Sequence, residues 1–79
     1  MKPHIRNYLN ATGLLPHEIN CSVCGSNQNI NIHHIVFRSH GGSDDYENLI
    51  ALCQDGCHRR AHSDKEFNES LKIIVGNRN

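Results

Sequence analysis

Two adjacent histidines, His33-His34, are followed by Asn48 and then by His58 and His62, and this series is threaded between Cys21-x-x-Cys24 and Cys53-x-x-x-Cys57. Thiolates and imidazoles are the usual protein ligands of zinc and its transition-metal neighbours, and a neutral imidazole can also take a proton from water near neutral pH. One short chain therefore interleaves a candidate four-thiolate site with a candidate imidazole site. That combination points to a small metal-dependent hydrolase.

Cys21, Cys24, Cys53 and Cys57 form two close pairs from distant parts of the chain, and the stretch from Cys24 to Cys53 is long enough to enclose a hairpin. A structural zinc ion held by the four would clamp the base of that hairpin. Two disulfides or free buried thiols are the alternatives, and a reducing compartment favours metal over both. Such a compartment is expected. Met1 to Leu9 carries Arg6, Asn7 and Tyr8 where a signal peptide has an apolar stretch, and no apolar run approaches bilayer length. The chain is read as soluble and cytoplasmic, with no membrane partner.

Among the histidines, His58 and His62 are four residues apart and share one face of a helix, so both rings can reach one ion. His33 and His34 are neighbours on a strand and point to opposite sides, which suits one metal ligand and one acid-base group better than two equivalent ligands. His4 and His17 belong to no spacing pattern and read as surface or satisfied core residues.

The elements that position these residues follow from local signals. Pro3 suits the first turn of a helix whose apolar face is Ile5, Tyr8, Leu9 and Thr12, and Gly13 stops it. Leu14-Leu15-Pro16 is a linker, so residues 3–15 make an N-terminal helix and its connection. Cys21 to Gly25 has the form of a zinc-knuckle turn. Ile30-Asn31-Ile32 alternates as a half-buried strand and runs straight into His33-His34, and Leu49 to Leu52 is a second, buried strand. The two pair antiparallel around a loop from Arg38 to Glu47 that contains Gly41-Gly42. Asp55-Gly56 opens a helix carrying Cys57, His58 and His62. Ser63-Asp64-Lys65-Glu66 fits a capping box for a last helix over 63–76, striped with Phe67, Leu71, Ile74 and Val75 and ended by Gly76. That last helix is read as a packing element, not a chemical one.

Size and charge set the limits. A chain of 79 residues, 37% hydrophobic and 5% aromatic, is one domain that buries too little apolar surface to hold together comfortably without a staple. The formal net charge is zero, with eight Lys and Arg against eight Asp and Glu, so the electrostatic footprint of a strong nonspecific duplex binder is missing. Arg38, Arg59 and Arg60 lie within the His/Cys region, where local charge matters more than the total.

The stretch from Cys21 to His62 resembles the HNH endonucleases, the ββα-metal or His-Me finger nucleases. The residues that carry the resemblance are His33-His34-Ile35-x-x-Arg38-x-x-Gly41-Gly42-x-Asp44, then Asn48-Leu49-x-x-Leu52-Cys53, and Cys57-His58. It implies a small α+β fold, a zinc-stapled ββα-metal core over 21–62 with flanking N- and C-terminal helices, all within a single domain over 1–79. His34 is implied as the general base, Asn48 as the central Asn that pins the loop and so orients the base, and His33 and His58 as ligands of one catalytic divalent metal. His62 looks like the additional ligand of the colicin-type branch. The cysteines look like the structural zinc site that many phage and bacterial members add. Arg38 would hold a neighbouring phosphate, and Arg59 or Arg60 would do so from the helix, with solvated surface charge as the plain alternative for those two.

The resemblance further implies hydrolysis of DNA, double-stranded or branched, by nicking or cutting with low intrinsic sequence specificity, to leave a 5′-phosphate and a 3′-hydroxyl. Many members have Asp where this chain has His33. Imidazole ligands favour zinc, nickel, cobalt or manganese over magnesium. Expected partners are a phage packaging or recombination protein, or a second copy of the chain. The alternative is a noncatalytic zinc-binding module that binds DNA or protein through a degenerate site. An RNase or toxin payload would share the core, but no delivery segment is visible. Gln54-Asp55-Gly56 departs from the family by putting three residues rather than two between the second cysteine pair, which bears on the fourth thiolate.

Overall fold

Leu49, Ile50, Ala51 and Leu52 are all fully buried in a computed structural model that describes residues 2–78. A strand buried without alternation must be covered on both faces. Met1 and Asn79, the outermost residues of the expected single domain, lie outside the described residues.

The buried strand is β2 (Leu49–Cys53), which pairs antiparallel with β1 (Ile30–His34) in the register Ile30 to Cys53, Ile32 to Ala51, His33 to Ile50 and His34 to Leu49. Side chains alternate across this hairpin. Ile50 and Leu52 pack with Ile35, Ala61, Leu71 and Val75, which brings α2 (Arg59–Ser63) and α3 (Lys65–Asn77) onto one face. Leu49 and Ala51 pack with Tyr8 and Ile19, which brings α1 (Pro3–Thr12) onto the other. Each fully buried Leu or Ile contributes about 1.5–3 kcal/mol, and β2 supplies three of the four largest fully buried side chains, Leu49, Ile50 and Leu52 beside Leu71. The result is the α+β, ββα arrangement expected from the sequence.

Pro3 does occupy the first turn of α1, and Gly13 caps its end at φ 73°, donating its N–H to the Leu9 carbonyl at 2.8 Å. The linker is more ordered than its composition suggests. Pro16–Glu18 forms a 3-10 turn in which the Glu18 carboxylate accepts the Leu15 N–H at 2.8 Å, and this turn delivers Ile19 to the core.

Two helix boundaries differ from expectation. Asp64, not Ser63, caps α3: its carboxylate accepts the Phe67 N–H at 3.2 Å, whereas the Ser63 hydroxyl turns back to the Arg59 carbonyl at 3.1 Å and so closes α2. Gly76 does not end α3, which continues to Asn77. The physical reason is the anchor beyond it. Arg78 donates from Nη2 to the carbonyls of Tyr46 (2.6 Å) and Leu49 (2.7 Å) and lies 3.9 Å from the centre of the Tyr46 ring, which holds the helix end against the hairpin.

The loop between the strands holds two short 3-10 turns, Arg38–His40 and Tyr46–Asn48. Gly42 passes so close to the preceding backbone that a Cβ there would sit 1.7 Å from the Val36 carbonyl oxygen. Among the described residues no helix is long and apolar enough to cross a membrane.

Candidate active site and metal centres

The thiol cluster is built at the base of the hairpin. Cys21, Cys24, Cys53 and Cys57 bring their sulfurs within 4.8 Å of one another, with Cys24 Sγ and Cys53 Sγ 3.6 Å apart and no disulfide among them. A tetrahedral zinc ion with Zn–S bonds of about 2.3 Å separates its sulfurs by about 3.8 Å, so the cluster fits that ion. The Cys24 N–H points at Cys21 Sγ (3.5 Å) and the Cys57 N–H at Cys53 Sγ (3.3 Å), as expected where sulfur carries negative charge.

The thiols cannot all ionise by themselves. Burial pushes Cys57 up to about 12, aided by its hydrogen-bonded sulfur neighbours. Burial opposes ionisation of Cys21 too, but the amides of Cys24, Val23 and Cys53 outweigh it and bring that thiol down to about 6. A bound cation removes the conflict.

The extra residue between Cys53 and Cys57 is taken up by a π turn, Gln54–His58, which runs directly into α2. The expected helix opening at Asp55-Gly56 is therefore this wider turn, and it keeps the fourth thiol within the cluster. Gly56 leaves Cys53 Sγ uncrowded, since a Cβ there would lie 3.1 Å from it and push it aside by a few tenths of an ångström.

On the face shared by α2 and α3, His33, His58 and His62 form a second cluster with ligand atoms within 4.8 Å. His58 Nε2 and His62 Nε2 are 3.2 Å apart. Two cis ligands at about 2.1 Å from one ion sit about 3.0 Å apart, so the pair already has the bite of a transition-metal site. His62 stacks on Phe37 at 5.0 Å between ring centres.

His33 is only 2% exposed, and burial lowers its pKa to about 4, leaving the ring neutral with a lone pair to give. Its Nε2 lies 2.7 Å from Asn68 Oδ1, while Asn68 Nδ2 donates to the Ile35 carbonyl at 2.9 Å. The amide oxygen can only accept, so Nε2 carries the proton and Nδ1 is the nitrogen left for a metal. This corrects the reading of the last helix as mere packing. Asn68 stands on the buried side of α3, among Leu71 and Val75, and orients the His33 ring.

His34 points to the opposite side of β1, towards α1. Its Nε2 is 2.7 Å from Asp44 Oδ1, and that hydrogen bond, with the Arg38 charge, holds the Asp44 carboxyl below its ordinary value. Arg38 is mostly exposed, with Nε 3.8 Å from the same oxygen. Although the two histidines diverge, His33, His34, Arg38, His58 and His62 all line one cleft of about 350 Å³.

Asn48 spans the loop. Its Oδ1 accepts the Val36 N–H at 2.7 Å, and its Nδ2 donates to the carbonyls of Val36 (3.0 Å) and Ser43 (2.8 Å). Arg59 and Arg60 do not line the cleft. Arg60 instead lies 4.3 Å over the Phe67 ring and 3.9 Å from Asp64.

Comparison with known proteins agrees with this construction. A family model described as HNH endonuclease matches residues 21–64, more than half of the chain. The chain belongs to the HNH endonuclease family. Among curated proteins it is similar to the type IV methyl-directed restriction enzyme EcoKMcrA of Escherichia coli (strain K12), 32% identical over 68 residues. The match covers 75% of this chain and 24% of that enzyme, so the HNH chain spans about a quarter of its relative's length. No solved structure matches.

Two residues that touch the candidate site residues from outside the cleft escaped the sequence. Asn68 lies beyond the matched segment and carries no spacing signal; only its place on the apolar stripe of α3, a polar residue where Leu or Ile would pack, could have drawn attention. His4, read as a bystander, stands with its ring centre 4.6 Å from that of His34.

Proposed function

We propose that this chain is a metal-dependent endonuclease that hydrolyses phosphodiester bonds of DNA, nicking or cutting with low intrinsic sequence specificity and leaving 5′-phosphate and 3′-hydroxyl ends. The observation that carries this reading is the shared cleft: a three-histidine cluster fit for one ion opens onto the same space as a histidine already oriented by a carboxylate. A noncatalytic zinc module has no use for that second arrangement. The relative's being a restriction enzyme favours DNA as the substrate.

In this reading His33, His58 and His62 hold a divalent metal, zinc, nickel, cobalt or manganese in preference to magnesium. Bound there, it would supply positive charge to a phosphate oxygen and to the departing 3′ oxygen. Asp44 accepts the Nε2 proton of His34, which leaves the Nδ1 lone pair to take a proton from the attacking water. Asn48 keeps the loop that carries Arg38 and Asp44 folded against β1. Arg38, with most of its side chain exposed at the mouth of the cleft, grips a neighbouring phosphate. Cys21, Cys24, Cys53 and Cys57 hold a structural zinc ion that fixes the hairpin.

The zero net charge leaves sequence and strand recognition to a partner, such as a packaging or recombination protein, or to a second copy. The test is incubation of the purified protein with supercoiled plasmid, with and without chelator, beside His34→Ala. Cleavage should fall by about 10²- to 10⁴-fold in the variant while its metal content is unchanged. Equal cutting by both proteins would overturn the assignment.

A further inference from the structure

We propose a third metal site, formed by His4, His34 and Asp44, that takes a transition-metal ion when such ions are in excess and thereby switches off His34. The three residues come from separate parts of the fold, the first turn of α1, the end of β1 and the glycine loop. They bring one nitrogen each from the histidines and a carboxylate oxygen within 4.8 Å of one another. Two imidazoles and one carboxylate is a donor set for zinc, nickel or cobalt. His34 Nε2 and Asp44 Oδ1, at 2.7 Å, need to open by only about 0.3 Å to act as cis ligands.

A second observation points to an occupant. His4 Nδ1 is buried and has no hydrogen-bond partner among the described residues. A buried ring nitrogen without a partner is costly, and a cation reaching His4 between it and His34 would give the ring a role that helix packing does not.

The inhibitory consequence rests on the endonuclease reading above and follows from proton placement. As base, neutral His34 carries its proton on Nε2, donated to Asp44, and offers the lone pair of Nδ1. Coordination through Nε2 requires the other tautomer. The same proton then resides on Nδ1, and no lone pair faces the water. The Nε2–H bond breaks and an Nδ1–H bond forms by exchange with solvent, the total proton count is unchanged, and the base is lost.

The experiment uses the intact chain with its cysteine-held zinc retained, titrated with Co²⁺ and followed by calorimetry and visible absorption. Wild type should bind two further ions, a tight one and a weaker one. His4→Gln, in the first turn of α1, and separately Asp44→Asn should each bind one. In the plasmid assay with Zn²⁺, wild-type cleavage should rise to one added equivalent and then fall by about 10²-fold in excess, whereas His4→Gln should rise equally and stay high. Loss of one equivalent in both variants supports the site whether or not the protein cuts DNA. Unchanged stoichiometry in both overturns it. Cleavage by wild type that saturates without falling overturns the inhibition.

Discussion

Asn68 and His33, 35 residues apart, meet in the core through a 2.7 Å hydrogen bond that decides which ring nitrogen of His33 keeps a free lone pair. Partners of this kind typically control metal affinity by about 10- to 100-fold. Asn68→Leu keeps the branched shape and the number of side-chain heavy atoms and removes the acceptor along with the donor to Ile35, so affinity at the histidine site should fall by that factor while the cysteine-held zinc is untouched. Competitive titration with a Co²⁺ indicator measures it. Wild-type affinity in the variant would reduce Asn68 to a space-filler.

The thiol cluster gives a folding prediction. The core is small, and structural zinc supplies on the order of 10 kcal/mol in domains of this size. Removing zinc with a strong chelator in reducing buffer should abolish the cooperative melt, and zinc addition should restore it. Cys53→Ser should behave like the chelated protein. A fold that survives chelation with its thiols reduced would mean that the sulfurs pack unaided.

His33 makes stability depend on pH in a defined direction. Its folded pKa, about 4, lies below its ordinary value of 6.5, so the unfolded chain binds the extra proton first. The stabilising contribution is complete above about pH 6.5 and is lost as pH falls towards 4. Denaturant midpoints of His33→Gln should fall less across that interval than those of wild type, both with the histidine site stripped of metal. Parallel slopes would contradict the burial argument.

At the glycine loop, Gly42→Ala would drive a methyl group into the Val36 carbonyl. The clamp of Asn48 on Val36 and Ser43 shares that backbone, so the loop must shift as a unit. A loss of about 2–4 kcal/mol is expected, with cleavage reduced further because Asp44 moves with the loop. Thermal melts and the plasmid assay check both, and Co²⁺ titration should still find the three-histidine site, whose ligands lie on β1, the π turn and α2.

Metal choice follows from the ligand set. Three imidazoles suit zinc, nickel, cobalt or manganese better than an ion that prefers oxygen. After chelation of the histidine site, single equivalents of these ions should restore cleavage at least as well as magnesium. Activity with magnesium alone would refute the three-histidine site.

Local spacing made the hairpin and both the cysteine and the histidine clusters readable in the sequence. Alternation in Ile30 to Ile32 and the apolar run Leu49 to Leu52 marked the strands, and four-residue separation joined His58 to His62. What could not be read depends on long-range packing. His4 reaches His34 because α1 crosses the back of the hairpin, Asn68 reaches His33 because α3 crosses the front, and Arg78 closes on Tyr46 and Leu49 from the far end of the chain. Arg60 looked equally suited to a phosphate or to solvent, and its contact with Phe67 depends on how α2 turns into α3.

Because His33 and His34 sit on opposite sides of a single ribbon, their identities are a matter of parity. A shift of β1 by one position would turn each ring to the other face, so that only one of the two partners, Asp44 or Asn68, still meets an imidazole. Deleting one residue between Asn31 and His33 would thus carry His34 towards Asn68 and leave Asp44 without its imidazole, although all four histidines would still be present.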